Sequence, residues 1–83
     1  MTQTRMRALF LEELTRVAPD IDPAEVLDGD YLQDDLELDS MDVLNLVTAL
    51  HKRLGIDIPE ADYAKIATVA SAVRYLSAAT GAD

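Results

Sequence analysis

The chain has 83 residues, enough for one small domain spanning 1–83, and 49% of them are apolar, which excludes intrinsic disorder despite a net charge of −9. That charge excludes nucleic acid and anionic lipid as natural partners, since both would repel it, and it favours basic protein surfaces. Cysteine is absent, so neither disulfides nor thiolate metal sites staple the fold and packing must suffice.

Arg5 and Arg7 open the chain, but Glu12 and Glu13 follow at once, a pattern unlike a secretion signal. No stretch approaches the roughly 20 apolar residues of a membrane span, so the expectation is a cytoplasmic protein without membrane insertion. Met6, Leu9, Phe10, Leu14 and Val17 recur at three- and four-residue spacing and predict a first helix, ended by Pro19. A loop of about twenty residues follows, longer than compact domains usually leave unstructured. Within it Asp22-Pro23-Ala24-Glu25 reads as a capping box with proline at the first helical position, predicting one helical turn through Leu27. Leu32, Leu36 and Leu38 are expected to pin the remainder to the core.

A second helix is predicted from the stripe Val43, Leu46, Val47, Leu50 and Leu54, with Gly55 placed to terminate it. A short helical segment near residues 61–66 follows Pro59. Thr68 can cap a last helix whose stripe is Val69, Ala72, Val73 and Leu76, with Gly81 beyond its end. Ile56-Asp57-Ile58 is too short for a strand and runs into Pro59. The fold class is all-α: three main helices, one short helix and a long first loop.

Residues 20–42 carry ten acidic side chains and no Lys or Arg, and Ser40 sits where this stretch meets the second helix. Its hydroxyl has two possible roles, as a plain helix cap or as the carrier of a covalently attached phosphate favoured by the helix N-terminus. At about 100° per residue, Met41, Leu44, Thr48 and His51 fall on a strip separate from the core stripe. Met41 and Leu44, rimmed by Asp39 and Asp42, read either as a widened core face or as a small exposed patch that docks other proteins.

The run Asp34-Asp35-Leu36-Glu37-Leu38-Asp39-Ser40-Met41-Asp42, followed by Leu46-Val47-Thr48-Ala49-Leu50, closely resembles the phosphopantetheine attachment region of acyl carrier proteins. The resemblance continues through Gly55-Ile56-Asp57-Ile58-Pro59-Glu60 and persists in Ile66-Ala67-Thr68-Val69 and Ala72-Val73-Arg74-Tyr75-Leu76. It implies a four-helix carrier domain. It also implies that Ser40 is esterified with phosphopantetheine from coenzyme A by a phosphopantetheinyl transferase, and that the arm's thiol holds acyl groups as thioesters. Asp39, Met41, Asp42, Leu44 and Ile58 then fall on the surface recognised by the transferase and by acyl-loading and acyl-processing enzymes with basic patches.

Two departures stand out. Met41 replaces the leucine that commonly follows the serine, a mild change because methionine is similarly apolar and more adaptable. Where carriers of fatty acid synthesis usually keep the middle and end of this helix acidic, this chain has Asn45, Thr48, His51, Lys52 and Arg53. The expectation is that partners grip mainly the Ser40 end, in a dedicated lipid or secondary-metabolite pathway.

Other chemistries fit poorly. His51, the sole histidine, lies eleven residues beyond Ser40 on the same helix, roughly 16 Å away at 1.5 Å per residue and far outside proton-transfer reach. No Gly-x-Ser-x-Gly elbow exists, so intrinsic enzyme activity is not expected. A calcium loop turning at Gly29 would place Ala24 and Val26 at ligand positions, and starting at Asp30 puts Leu32 there, so no metal site is encoded. The three tyrosines, Tyr31, Tyr63 and Tyr75, read as packing residues. Leu46, Val47, Leu50, Ile58, Ile66, Val69 and Ala72 are expected to line the interior, and a monomer is expected because the exposed apolar strip is small and the like charge high. Two alternatives stay open: an aminoacyl or peptidyl carrier using the same arm, and an unmodified acidic helical docking protein.

Overall fold

The structure, a computed structural model, describes residues 2–81. Its three long helices are α1 (Gln3–Val17), α2 (Ser40–Leu54) and α3 (Val69–Ala79), and a 3₁₀ helix, Glu60–Ile66, supplies the short fourth. Each boundary has a local cause. The Thr2 hydroxyl accepts from the Arg5 N–H at 3.2 Å and starts α1. Thr68 and Ser71 form a reciprocal capping box that starts α3. Gly55 ends α2 in the left-handed conformation, φ 70°, its N–H donating to the His51 carbonyl.

The core forms where α1 packs against both α2 and α3 and the 3₁₀ helix packs on α3. Met6, Phe10, Leu14, Leu46, Leu50, Ile66, Val69 and Leu76 are essentially solvent-free, as the stripe spacing predicts. Val43 and Leu54, at the margins of the α2 stripe, are only partly buried. The interior expected from the sequence is confirmed at Val47, Ile58 and Ala72 as well.

Loop 18–39 is ordered by backbone bonds that serve α3. The first N–H groups of a helix have no intrahelical acceptor; here the Val69 N–H donates to the Asp30 carbonyl (3.1 Å) and the Ala70 N–H to the Asp28 carbonyl (2.8 Å). The Leu32 N–H donates to the Ala67 carbonyl, and Tyr31 and Thr68 form a single antiparallel bridge; among the described residues there is no strand. On the other side, Arg7 donates to the Asp28 carboxylate (2.7 Å) and the Val26 carbonyl (3.0 Å). Leu32 and Leu38 are buried and Leu36 partly so, as expected.

One expectation needs correcting. The turn after Asp22 is a 3₁₀ turn, Pro23–Glu25, that stops short of Leu27. The Asp22 carboxylate accepts from the Ala24 N–H, two residues on, and Val26 is already extended. Leu27 has its N–H taken by the Asp30 carboxylate and its side chain 66% exposed. Much of the loop's acidity thus works locally, with Asp22, Asp30 and Asp35 each closing a turn by accepting a backbone N–H.

Candidate functional site

Leu38 is inserted into the core, and the chain turns immediately before it at Glu37, whose φ of 60° is the only positive value at a non-glycine position among the described residues. This turn delivers Asp39 and Ser40 to the start of α2. Asp39, not Ser40, is the N-cap: its carboxylate accepts from the Asp42 N–H at 2.8 Å, and the Asp42 carboxylate accepts from the Asp39 N–H at 3.3 Å. The reading of Ser40 as a plain cap is therefore corrected. With two carboxylates completing the box, Ser40 becomes the first helical residue. It is exposed, and its hydroxyl takes no part in the cap.

A cleft of about 580 Å³ opens beside Ser40. Ser40, Met41, Val43 and Leu44 form its α2 wall, Tyr31–Asp34 its loop wall, and Glu60, Tyr63, Ala64 and Ala67 the wall contributed by the 3₁₀ helix and its exit. Met41 (62% exposed) and Leu44 (45%) stand out from α2, so the widened-core reading of these positions fails. Asp39 is exposed and Asp42 partly buried beside them. Ile58, expected on the partner surface, is a correction: it is 6% exposed and belongs to the core. The chain enters the 3₁₀ helix only after burying this β-branched side chain, which leaves it no free face for docking.

Tyr63 and Tyr75 are partly buried against the core as expected, but Tyr31 is 51% exposed at the cleft. Its backbone rather than its ring does the fastening: its N–H donates to Asp35 at 2.7 Å and its carbonyl accepts from the Asp35 and Leu36 N–H groups. The wall opposite α2 is tied to α3 by the Tyr75 hydroxyl, which donates to the Asp62 carboxylate at 2.7 Å. That bond, with help from nearby Lys65, holds Asp62 below its ordinary carboxylate range and pushes the Tyr75 phenol above its own.

His51 is exposed at the far end of α2, its Nδ1 2.9 Å from the Ile56 carbonyl and 3.0 Å from the Asp57 carboxylate. It braces the turn leaving the helix. Sequence reasoning missed Glu13, an acidic residue that is only 4% exposed and is held by Arg53 at 2.8 Å and Arg16 at 3.3 Å. Its position on the Phe10–Leu14–Val17 side of the first helix was the available signal. Among the described residues no group of three or more His, Cys, Asp or Glu side chains could hold a metal ion.

The site fits a phosphopantetheine linked through Ser40. The hydroxyl is exposed and free of the cap, and the first turn of α2 offers backbone N–H groups and a partial positive charge worth about 0.3–1 kcal/mol to a nearby anion. Asp39 and Asp42 oppose that charge and favour a tether directed outward. When bound, the group supplies a thiol on which acyl chains are held as thioesters. The chain's own part would be to hold the Ser40 oxygen at an exposed helix start beside an open cleft.

Comparison with known proteins agrees. The family model described as "Phosphopantetheine attachment site" matches residues 4–76. The acyl carrier protein of Wolinella succinogenes is 43% identical over 56 residues, covering 68% of this chain and 74% of its own. The acyl carrier protein of Zymomonas mobilis subsp. mobilis is 33% identical over 75 residues, covering 90% of each chain. The free serine at the head of α2, the helical fold around it and these matches together place the chain in the acyl carrier protein family, as a carrier with covalently bound phosphopantetheine and not a catalyst.

Proposed function

We propose that Ser40 is the attachment residue, and that this protein presents thioester-bound acyl intermediates to the enzymes of a dedicated lipid or secondary-metabolite pathway. The observation that carries this reading is the Asp39–Asp42 capping box, which does the capping work and leaves the Ser40 hydroxyl exposed and available. Asp39, Met41, Asp42 and Leu44 form the surface that a phosphopantetheinyl transferase and acyl-processing enzymes read. The dedicated pathway is supported by the change of charge along α2, which has Asp42 as its only acid and ends in His51, Lys52 and Arg53. No helix among the described residues is long and apolar enough to cross a membrane. A monomer working in the cytoplasm suits a chain of net charge −9 with few exposed large apolar side chains.

The test is intact mass. After incubation with coenzyme A and a broad-specificity transferase, the protein gains one phosphopantetheinyl group, and peptide mapping finds it on Ser40. Ser40→Ala gains nothing while keeping its helical circular dichroism. A wild-type mass that stays unchanged under conditions that modify another carrier protein overturns the proposal.

A further inference from the structure

The α2 face that begins beside Ser40 does not stop at its apolar contacts. Met41, Leu44, Asn45, Thr48 and Lys52 follow each other at helical spacing and are all exposed, so they form one strip along the helix. Twelve residues separate Ser40 from Lys52, about 18 Å of helix. The strip is apolar and flanked by carboxylates at its start, and cationic at its end. There it meets α1 across a groove of about 410 Å³, lined by Arg16, Lys52, Arg53, Asn45 and Thr48 with Glu13 beneath.

The cations at this end are not equivalent. Arg53 is committed inward, donating to the buried Glu13 at 2.8 Å and lying 3.6 Å from Glu12 at the margin. Glu13 is thereby withdrawn from the surface, its side chain only 5% exposed. Lys52 makes no ion pair among the described residues, and Arg16, whose side chain is 68% exposed, is ion-paired there only with the buried Glu13. Two outward cations therefore stand together on a protein with 16 acidic side chains.

We infer that this strip is a docking surface for a partner protein that places apolar side chains over Met41 and Leu44 and an acidic patch over Lys52 and Arg16. The inference rests on the carrier reading, which supplies the reason for a partner to lie along α2. Charge complementarity chooses the occupant: a partner basic along its whole contact meets repulsion at the Lys52 end, whereas one with acids there gains contact without disturbing the Arg53–Glu13 pair. A cation in the last turn also favours its own helix dipole, and if that were its entire role the corner would bind nothing.

The test is a titration of the ¹⁵N-labelled, transferase-treated protein with octaglutamate, followed by amide shifts at about 0.05 M salt so that screening does not mask the patch. Saturable shifts confined to the Lys52 end of α2 and the Arg16 turn of α1 are expected, with octaglutamine giving none. Lys52→Gln weakens the binding severalfold and Lys52→Glu at least about tenfold, a change of ~1.4 kcal/mol. Lys52→Gln is expected to melt close to wild type, since Lys52 makes no ion pair or side-chain hydrogen bond among the described residues, and Lys52→Glu slightly lower, since it reverses the charge in the last turn of α2. Absent shifts, shifts spread over the whole chain, or shifts unchanged by Lys52→Glu overturn the inference. Failure of the carrier reading is separately visible: the mass of the treated sample then stays unmodified, whatever octaglutamate does.

Discussion

Asp39 and Ser40 are neighbours with divided labour, and the division is measurable. Asp39→Ala removes the side chain that accepts the Asp42 N–H and should cost about 0.5–2 kcal/mol in urea unfolding. Ser40→Ala removes an exposed hydroxyl outside the cap and should stay within about 0.5 kcal/mol of wild type. The reverse order would mean that Ser40 is the cap after all. Two adjacent cations divide in the same way. Arg53→Ala leaves the buried Glu13 carboxylate with Arg16 as its sole remaining ion-pair partner, and should lower stability by about 1–3 kcal/mol. Removing the Lys52 charge as Lys52→Gln should be near neutral by the same assay. The sequence marked both residues as a departure from the family's acidic pattern, but it could not separate them, because the partner of Arg53 lies 40 positions away.

Among the elements, α1, α2 and α3 were legible because stripe spacing, Gly55 and the Thr68 cap each act within a few residues. The first loop was legible only in part. Its leucines announce burial, whereas its attachment to the start of α3 depends on carbonyls of Asp28 and Asp30 meeting N–H groups some forty residues further on. The 3₁₀ helix Glu60–Ile66, which walls the cleft, is fastened by the Tyr75–Asp62 bond, and that bond has a pH signature. Asp62 is held below its ordinary value of 3.8, so its contribution is present above that value and is lost as pH falls through the depressed one. The Tyr75 phenol is raised above 10.0, so its contribution is complete below 10.0 and is lost as pH climbs through the raised value. Tyr75→Phe should therefore be less stable than wild type by a constant margin at neutral pH, and the gap should close at both extremes. Thermal melts across pH test this; a gap that persists in acid would show that packing, not the bond, sets the difference.

For the molecule as a whole, the distribution of charge matters more than its total. Ten of the 16 acids fall within residues 20–42, so like charge is concentrated in the loop that leads into Ser40 and the first turn of α2. Raising salt from about 0.01 M to about 0.15 M shortens the screening length from roughly 30 Å to roughly 8 Å. It should therefore raise the melting temperature, as followed by circular dichroism. A fall would mean that ion pairs such as Arg7–Asp28 outweigh the repulsion. By itself the sequence determined the helical class, the core stripes, the candidate serine and the resemblance to carrier proteins, because periodicity, caps and short motifs are local properties of a chain. Tertiary structure alone decided that Met41 and Leu44 face outward while Ile58 is buried, and that Arg53 is spent on Glu13 while Lys52 makes no ion pair among the described residues. Each of those outcomes depends on which distant segment arrives to accept a bond or cover a side chain.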